Sequence, residues 1–277
     1  MEIELEAPAK AWNIMPKSMK PMVNEAKFTI SKECMEVNFV DPAHVSMGHL
    51  KFYPAFFNRY VVGQSKEKYE VGIDIDVFED KLKGIKPHEK ITMKTLEGES
   101  IIFLNTEIKA SSGDIKLNKQ MKMIDCAGMP DPKIPNLDLP FKFEPDIPIT
   151  ELKRMHKNIL ISDHTKWTVD EKCLTIVGAD DETRDKVIIP VTHCKKKEPN
   201  KKAKTKKELK KATSLFSDDY GEMILKIAEL GGKSGRVKIE LGNDNPMVLT
   251  FAKKDFWDSN KTLYEGMLLL APRIESE

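Results

Sequence analysis

The sequence predicts an α+β fold made of two similar domains, and a repeated segment is the first observation behind this prediction. KFTISKECMEV (27–37) and KWTVDEKCLTI (166–176) both read Lys, aromatic, Thr, β-branched residue, three polar residues and Cys, at an offset of 139 positions. Apolar and polar residues alternate in each segment, which is typical of a half-buried strand. Only Lys, Thr and Cys are identical, so the duplication also requires that the neighbouring segments repeat.

A helical pattern precedes the strand in each half of the chain. Apolar residues recur there at spacings of three and four, as on the buried face of a helix. The first stripe is Trp12, Met15, Met19 and Met22, and the second is Leu152, Met155 and Ile159. Pro16 falls inside the first helix, where the missing backbone N–H costs roughly 3 kcal/mol, so this helix is either kinked or begins later.

A second helix and further strands follow in each half. Residues 76–85 and 219–228 carry apolar side chains at helical spacing, and residues 90–103 and 236–251 alternate as strands do. The helical positions are Phe78, Leu82 and Ile85 in the first half and Tyr220, Met223, Ile224 and Ile227 in the second. The order helix, strands, helix, strands therefore occurs twice. We expect one domain over residues 1–120 and another over residues 142–277.

The segment between these domains has the composition of a connector. Residues 121–141 contain Pro130, Pro132, Pro135 and Pro140 and show neither a helical nor an alternating pattern. Proline-rich chain is stiff and extended, which suits a path across a surface. Its apolar side chains either lie against the domains or form one wall of a groove. These side chains are Met123, Ile124, Met129, Ile134, Leu137 and Leu139.

Composition is that of a reduced intracellular protein with two cores. The 277 residues suffice for two domains, no apolar run approaches the ~20 residues of a membrane span, and no signal sequence opens the chain. The four cysteines form no CxxC pair, and Cys34 and Cys173 occupy equivalent repeat positions where a small buried side chain fits. We expect neither disulfides nor a membrane partner.

One basic insertion contrasts with an acidic remainder. Residues 195–211 hold ten lysines and two glutamates, a local balance of +8, so the net charge of +1 leaves −7 for all other residues. Three interpretations of such a low-complexity run are open. It is a solvated loop, a segment that binds phosphates without sequence specificity, or a nuclear import signal.

Three segments carry a resemblance to a known family. VDPAHVSMGHL (40–50), MKMIDCAG (121–128) and LLLAPRIESE (268–277) resemble signature segments of the DNA sliding clamp family, which is proliferating cell nuclear antigen (PCNA) and its archaeal relatives. The resemblance runs along the whole chain in consistent order, with the lysine insertion as its main interruption. Archaeal clamps are the most similar.

The resemblance implies a ring and a non-enzymatic role. In this family three subunits close head to tail around double-stranded DNA, with helices lining the hole and sheets outside. The ring is a DNA polymerase processivity factor in replication and repair. Edge strands must then meet between subunits, and residues 111–120 and 183–191 are the candidates. We expect a homotrimer, with a heterotrimer as the alternative, in the nucleoid or cytoplasm of an archaeon or in a nucleus.

A sliding ring needs phosphate contacts without base readout, so its helices should present basic side chains opposite their apolar stripes. Lys10, Asn13, Lys17 and Lys20 share such a face, and the third helix adds His156 to its basic residues. Lys20, Lys83, Lys153 and Lys226 match basic positions of the family's DNA-facing surface. The full set of candidate DNA-binding residues is Lys10, Lys17, Lys20, Lys81, Lys83, Lys86, Lys153, Arg154, Lys157 and Lys226.

The family also implies a groove that binds short peptides of partner proteins. The implied partners are DNA polymerase, the clamp loader, ligase and flap nuclease. An apolar cleft with methionines and a flexible wall can accept several such peptides. The candidate groove residues are Val40, His44, Val45, Met47, Met123, Ile124, Met129, Ile134, Pro246, Ala271, Pro272 and Ile274.

Enzymatic alternatives find little support in the sequence. GKS at residues 232–234 lacks the glycine five positions earlier and the strand–loop–helix context of a phosphate-binding loop. Six scattered histidines give no metal-ligand pattern, and the acidic residues 180–182 suit a polar turn better than a cation site. We expect no catalytic residues, metal or cofactor. The alternative hypothesis is an accessory protein that grips DNA through the 195–211 lysines without forming a ring.

Overall fold

The computed structural model describes residues 2–96, 98–110, 113–159, 163–179, 182–196, 210–232, 235–255, 258 and 260–273. The chain forms two compact units. Unit 1 comprises residues 1–42, 49–133 and 254–265, and unit 2 comprises residues 43–48, 134–253 and 266–277. Each unit mixes helices and strands, as an α+β fold requires. The predicted limits of the two domains and of the 121–141 connector stay predictions.

Unit 1 contains three α-helices and a long series of strands. Its elements are β1 (Ile3–Pro8), α1 (Ala9–Trp12), α2 (Ile14–Met19), β2 (Glu25–Ser31), β3 (Met35–Val40), a 3-10 turn (Pro54–Phe56), β5 (Arg59–Val62), β6 (Lys68–Asp74), α3 (Ile75–Leu82), β7 (Lys90–Thr95), β8 (Ile101–Ala110) and β9 (Gly113–Lys122). The unit boundaries fall within β4 (Ser46–Phe52), β16 (Met247–Lys254) and β17 (Thr262–Leu270).

The strands of unit 1 form antiparallel ladders. One sheet has the order β5-β1-β7-β8-β9, and a second contains β6, β2 and β3 as neighbours. The strands β8 and β9 form a long hairpin in which Ile101 is opposite Lys122 and Ala110 is opposite Gly113. Because β9 pairs with β8 alone, it is an edge strand of its sheet.

The first helix is divided close to Pro16, in line with the interruption that this proline predicts. α1 ends at Trp12 and α2 begins at Ile14, so Pro16 lies in the first turn of α2, where its missing N–H would have no helical partner in any case. The predicted stripe is nevertheless buried, since Trp12, Met15, Met19 and Met22 are all at most 3% exposed. Met22 lies beyond the end of α2.

The two repeated segments are hairpins, so the prediction of one strand in each is wrong. In the first, Phe28 on β2 faces Val37 on β3, and Lys32, Glu33 and Cys34 connect the two strands. The polar residues 31–33 interrupt the alternation, and the buried apolar positions change from Phe28 and Ile30 to Met35 and Val37 across them, as expected where the chain reverses.

Unit 2 repeats the helix and strand order with different lengths. Its elements are β10 (Phe141–Pro145), α4 (Ile149–Lys157), β11 (His164–Val169), β12 (Cys173–Ala179), β13 (Arg184–Lys196), β14 (Ala212–Ser217), α5 (Asp218–Ala228), a 3-10 turn (Glu229–Gly231) and β15 (Lys238–Leu241). The second repeated segment is the β11–β12 hairpin, in which Trp167 faces Ile176. Neighbouring strands follow the order β14-β11-β12-β13-β10-β15-β16.

The long strand β13 changes partners along its length. Residues from Arg184 to Pro190 pair with β12, and residues from Val191 onward pair with β10. Among the described residues, the first part of β13 therefore has a ladder on one side only. Pro190, which has no N–H to donate, lies where the strand passes from one partner to the other.

The helices of unit 2 bury a different set of side chains from the one predicted. In α4 the buried residues are Ile149, Leu152 and His156, whereas Met155 is half-buried. In α5, Leu225 and Ala228 join Ile224 and Ile227 in the core, while Tyr220 and Met223 are half-buried. None of the helices in the described ranges combines the length and apolar character needed to cross a bilayer.

Candidate DNA-facing helices and peptide groove

The basic side chains of α1 and α2 lie on the exposed side of these helices. Lys10 and Lys17 are exposed, and neither forms an ion pair with any described residue. Lys20 is the C-cap of α2, and its Nζ lies 2.8 Å from Asp76 Oδ1 and 2.6 Å from Glu79 Oε2 of α3. The hydrogen bonds that Lys20 donates to both carboxylates raise its pKa. This lysine therefore stays charged and joins the two helices.

Helix α3 begins and ends with side-chain hydrogen bonds. Asp74 accepts a bond from the Val77 N–H at 2.8 Å and caps the N-terminus. Lys119 of the edge strand β9 donates to the backbone oxygens of Lys81 at 2.7 Å and Lys83 at 3.2 Å, which lie at the C-terminal end. The turn that carries the predicted basic residues is thus anchored to β9.

The basic side chains at this end of α3 differ in their partners. Lys83 is exposed and bonds to Asp80 at 2.6 Å. Lys86 is exposed and Lys81 is half-buried, and the side chains of both lack an ion pair among the described residues.

The basic side chains of α4 and α5 likewise include some that form ion pairs and some that do not. Lys153 Nζ lies 2.8 Å from Glu229 Oε2, and both side chains are about a quarter exposed (24% and 30%). Arg154 donates to Glu151 at 2.6 Å within α4. Lys157 and Lys226 are exposed and form no ion pair within the described part of the chain.

His156 is not a surface residue, which corrects its inclusion among the basic side chains of α4. Its side chain is fully buried against the Trp167 ring, and its Nε2 lies 3.3 Å from Thr165 Oγ1. A Cβ on Gly221 of α5 would come within 3.0 Å of the same nitrogen, so α5 packs directly over the ring. The Nδ1 atom has no hydrogen-bond partner among the described residues.

We expect His156 to make unfolding depend on pH. Burial lowers its pKa from 6.5 to about 4, so between these values the unfolded chain binds a proton that the folded chain does not. Stability from this residue is therefore lost as the pH falls from 7 to 4. Wild-type protein should lose about 3 kcal/mol more unfolding free energy over this range than His156→Gln, measured by denaturant unfolding at both pH values. Parallel losses in the two proteins would contradict this assignment.

Part of the predicted peptide groove comes together in unit 2. Leu139, Val248 and Leu269 form a buried apolar cluster. Four half-buried residues pack on it, and these are Met47, Ile134, Leu137 and Met267. Next to Met47 in sequence, the Val45 carbonyl accepts a hydrogen bond from the Ala271 N–H at 2.8 Å. The predicted residues Val45, Met47, Ile134 and Ala271 thus belong to one region of unit 2.

The remaining predicted groove residues have other surroundings. Val40, Met123, Ile124 and Met129 belong to unit 1, where the Ile124 N–H donates to the Gly72 carbonyl at 3.0 Å. In unit 2, His44 is exposed with φ at 57°, and Pro246 and Pro272 are half-buried. Ile274 lies outside the described residues. The role of this set in peptide binding stays a prediction.

Sequence reasoning missed Val248, Met267 and Leu269 in this region. Val248 lies in the apolar run of β16. Met267 and Leu269 lie two positions apart on β17, so they share one face of that strand. Apolar residues on consecutive positions of a strand signal burial on both faces. The run from Met267 to Leu270 carries this signal, although it does not identify the partner of each face.

Both candidate interface strands expose an isoleucine. Ile115 on β9 is 54% exposed, and Ile188 on the first part of β13 is 58% exposed. They are the two most exposed of the large hydrophobic side chains that the structure describes. Each occupies a strand whose backbone has a ladder on one side only at that position. An edge of this kind can pair with another chain.

No group of three or more His, Cys, Asp or Glu residues in the described ranges could hold a metal ion. The cysteines, all of them described, form no disulfide. The acidic residues Asp180 and Asp181, and Lys233 and Ser234 of the GKS segment, lie outside the described residues. Residues 197–209 of the lysine insertion lie outside them as well.

Known proteins resemble the chain over most of its length. Residues 1–128 match the family model described as proliferating cell nuclear antigen, N-terminal domain. The DNA polymerase sliding clamp of Methanothrix thermoacetophila is 29% identical over 263 residues, which cover 94% of this chain and 94% of that protein. The DNA polymerase sliding clamp of Methanocella arvoryzae matches with the same identity and coverage.

Solved structures of PCNA share the fold. A structure of A. fulgidus PCNA bound to the C-terminal region of FEN-1 has a TM-score of 0.79 at 23% identity, covering 99% of this chain and 100% of the other. PCNA from Thermococcus kodakaraensis has a TM-score of 0.77 at 20% identity, with coverage of 98% and 100%. The family match over residues 1–128, the alignments with archaeal clamps and the common fold lead to one conclusion: this chain is similar to DNA sliding clamps over nearly all of its length.

Proposed function

We propose that this chain is a DNA sliding clamp that encircles duplex DNA and tethers DNA polymerase and other enzymes to it. The observation that carries the proposal is the duplicated α+β fold with exposed lysines on the helices of both units, in a chain that aligns over 94% of its length with curated clamps. Sliding clamps are not enzymes, and they act in replication and repair through topology. An intracellular, DNA-associated location follows, and the archaeal relatives favour the cytoplasm and nucleoid.

The exposed basic side chains suit contact with phosphates rather than with bases. Lys10, Lys17, Lys157 and Lys226 are long, flexible and free of ion pairs within the described ranges. Lysine ammonium groups attract phosphate as point charges without reading base sequence. Weak contacts of this kind let a ring move along DNA while the closed ring prevents its escape.

Ring closure requires that unlike edges of successive subunits pair. We propose that β9 of one copy adds to the first part of β13 of the next copy, so that Ile115 and Ile188 become buried. Three identical copies then close the ring as a heterologous assembly. A heterotrimer with related chains is the alternative.

Partner peptides are proposed to bind on the apolar cluster of unit 2. The support is the half-buried set Met47, Ile134, Leu137 and Met267 on a buried base, because methionines and leucines adapt to different apolar ligands. The PCNA of A. fulgidus binds the C-terminal region of FEN-1, so a flap nuclease is one expected partner here. DNA polymerase, the clamp loader and ligase are proposed to bind by similar peptides.

Deletion of residues 197–209 tests the clamp function against the alternative of an accessory protein that binds DNA through the lysines of the insertion without forming a ring. A clamp loaded onto nicked circular DNA by a compatible loader should remain bound without the insertion, because the closed ring retains it. An accessory protein that binds through those lysines should instead lose DNA binding. Gel filtration of the loaded DNA in about 0.2 M salt separates the outcomes, since salt weakens grips that depend on phosphate charge.

A further inference from the structure

Lys20 is held by two carboxylates on the helix next to its own. Its Nζ lies 2.8 Å from Asp76 Oδ1 and 2.6 Å from Glu79 Oε2, and its side chain is 46% exposed. Asp76 is 54% exposed and Glu79 is 26% exposed, so this site remains in contact with solvent. A phosphate that approaches Lys20 therefore meets a cation whose charge is already balanced, with two anions beside it.

The same pairing occurs at other candidate DNA-facing residues in both units. Lys83 pairs with Asp80, Lys153 pairs with Glu229, and Arg154 pairs with Glu151. In contrast, five exposed candidate lysines have no ion-pair partner among the described residues, and these are Lys10, Lys17, Lys86, Lys157 and Lys226. The basic residues thus divide into paired and free sets, and Lys20 is the one with two carboxylate partners.

Pairing changes what a lysine contributes to DNA binding. A free lysine releases about one counterion from DNA for each phosphate that it neutralises, which supplies most of the affinity. A paired lysine must first give up its carboxylate, and the freed carboxylate then repels the phosphate. The contribution of that lysine to affinity and to its salt dependence is reduced accordingly.

We propose that Asp76 and Glu79 limit the grip of the clamp on DNA by occupying Lys20, so that the ring slides instead of stalling. This inference rests on the proposed clamp function and adds two acidic residues to the surface that contacts DNA. In each subunit the two carboxylates compete with DNA phosphate for the ammonium group of Lys20.

The test compares binding of a short DNA duplex by wild type and by Asp76→Asn/Glu79→Gln, followed by fluorescence anisotropy at several salt concentrations. The variant should bind about threefold to tenfold more tightly, as expected when exposed pairs are removed. The slope of log affinity against log salt should steepen by about 0.9 for each additional phosphate contact. Thermal unfolding of both proteins checks that the variant is folded.

Two further variants make the result specific. Glu144→Gln/Glu240→Gln removes two carboxylates that pair with Lys238 and Lys142 on strands of unit 2, which matches the change in charge at another place. It should leave affinity nearly unchanged. Adding Lys20→Met to the Asp76→Asn/Glu79→Gln variant should remove the gain. Equal gains in the control variant, a gain that survives loss of Lys20, or no gain at all would overturn the inference.

Retention on circular DNA separates this inference from the clamp function itself. If loaded wild-type protein stays on circular DNA while Asp76→Asn/Glu79→Gln shows no change in affinity or salt slope, the role of the two acids is refuted and the clamp function stands. If loaded wild-type protein is not retained on circular DNA, the clamp function fails first, and the inference that depends on it fails too.

Discussion

Replacement of Ile188 by glutamate is expected to change the assembly from a trimer to a monomer. Light scattering should give three times the chain mass of 31.6 kDa for wild type and a single chain mass for the variant. Ile188 is 58% exposed in one chain, so the substitution costs the isolated subunit little. In the proposed interface the carboxylate would be buried beside the paired strand, at a cost of several kcal/mol.

Val61→Glu provides the matched control for this experiment. Val61 is also a partly exposed apolar residue, at 38%, and lies on β5, the other edge strand of the five-stranded sheet. It should leave the trimer intact. A trimeric Ile188→Glu variant would contradict the proposed pairing of β9 with β13. Monomeric wild type at all concentrations would instead favour a heterotrimer with related chains.

Removal of two side chains from the peptide groove is expected to have the second large effect. Met47→Ala/Ile134→Ala should weaken binding of a FEN-1 C-terminal peptide by a factor of about 10² to 10⁴, because each lost side chain removes roughly 1.5–3 kcal/mol of apolar contact when fully buried by the ligand. Isothermal titration calorimetry measures this loss. Both residues are only half-buried in the free chain, so the fold should tolerate the change.

Met155→Ala is the control for the groove, since Met155 is a half-buried methionine on α4 and not a member of the apolar cluster of unit 2. Its affinity for the peptide should equal that of wild type. Equal affinity of the double variant and wild type would place the peptide elsewhere on the molecule.

Local patterns predict the main helices and strands because burial follows sequence spacing. The stripe of Trp12, Met15 and Met19 is buried as its spacing predicts. The hairpin turn after Ser31 coincides with three successive polar residues, 31–33, which interrupt the alternation of the strands. The break at Asn13 follows from Pro16, which cannot donate to the preceding turn. Pro16 thus predicts that the helix is interrupted, but it does not predict the residue at which the helix divides.

The chemistry of single residues is harder to predict, because it depends on contacts between distant segments. His156 looks basic in sequence, yet it follows Leu152 by four positions and so shares its buried face. The partners of Lys20 lie more than fifty positions away on α3, and no local pattern connects them. The base of the groove likewise joins Leu139 to Val248 and Leu269, which only the folded sheet brings together.

Retention on circular DNA before and after linearisation tests the clamp function most directly. Protein loaded on nicked circular DNA should remain bound in about 0.2 M salt, a concentration that weakens contacts to phosphate. One restriction cut should then release it, because a ring slides off a free end. Equal retention on circular and linear DNA would show that the chain grips DNA without encircling it, and would contradict the proposed function.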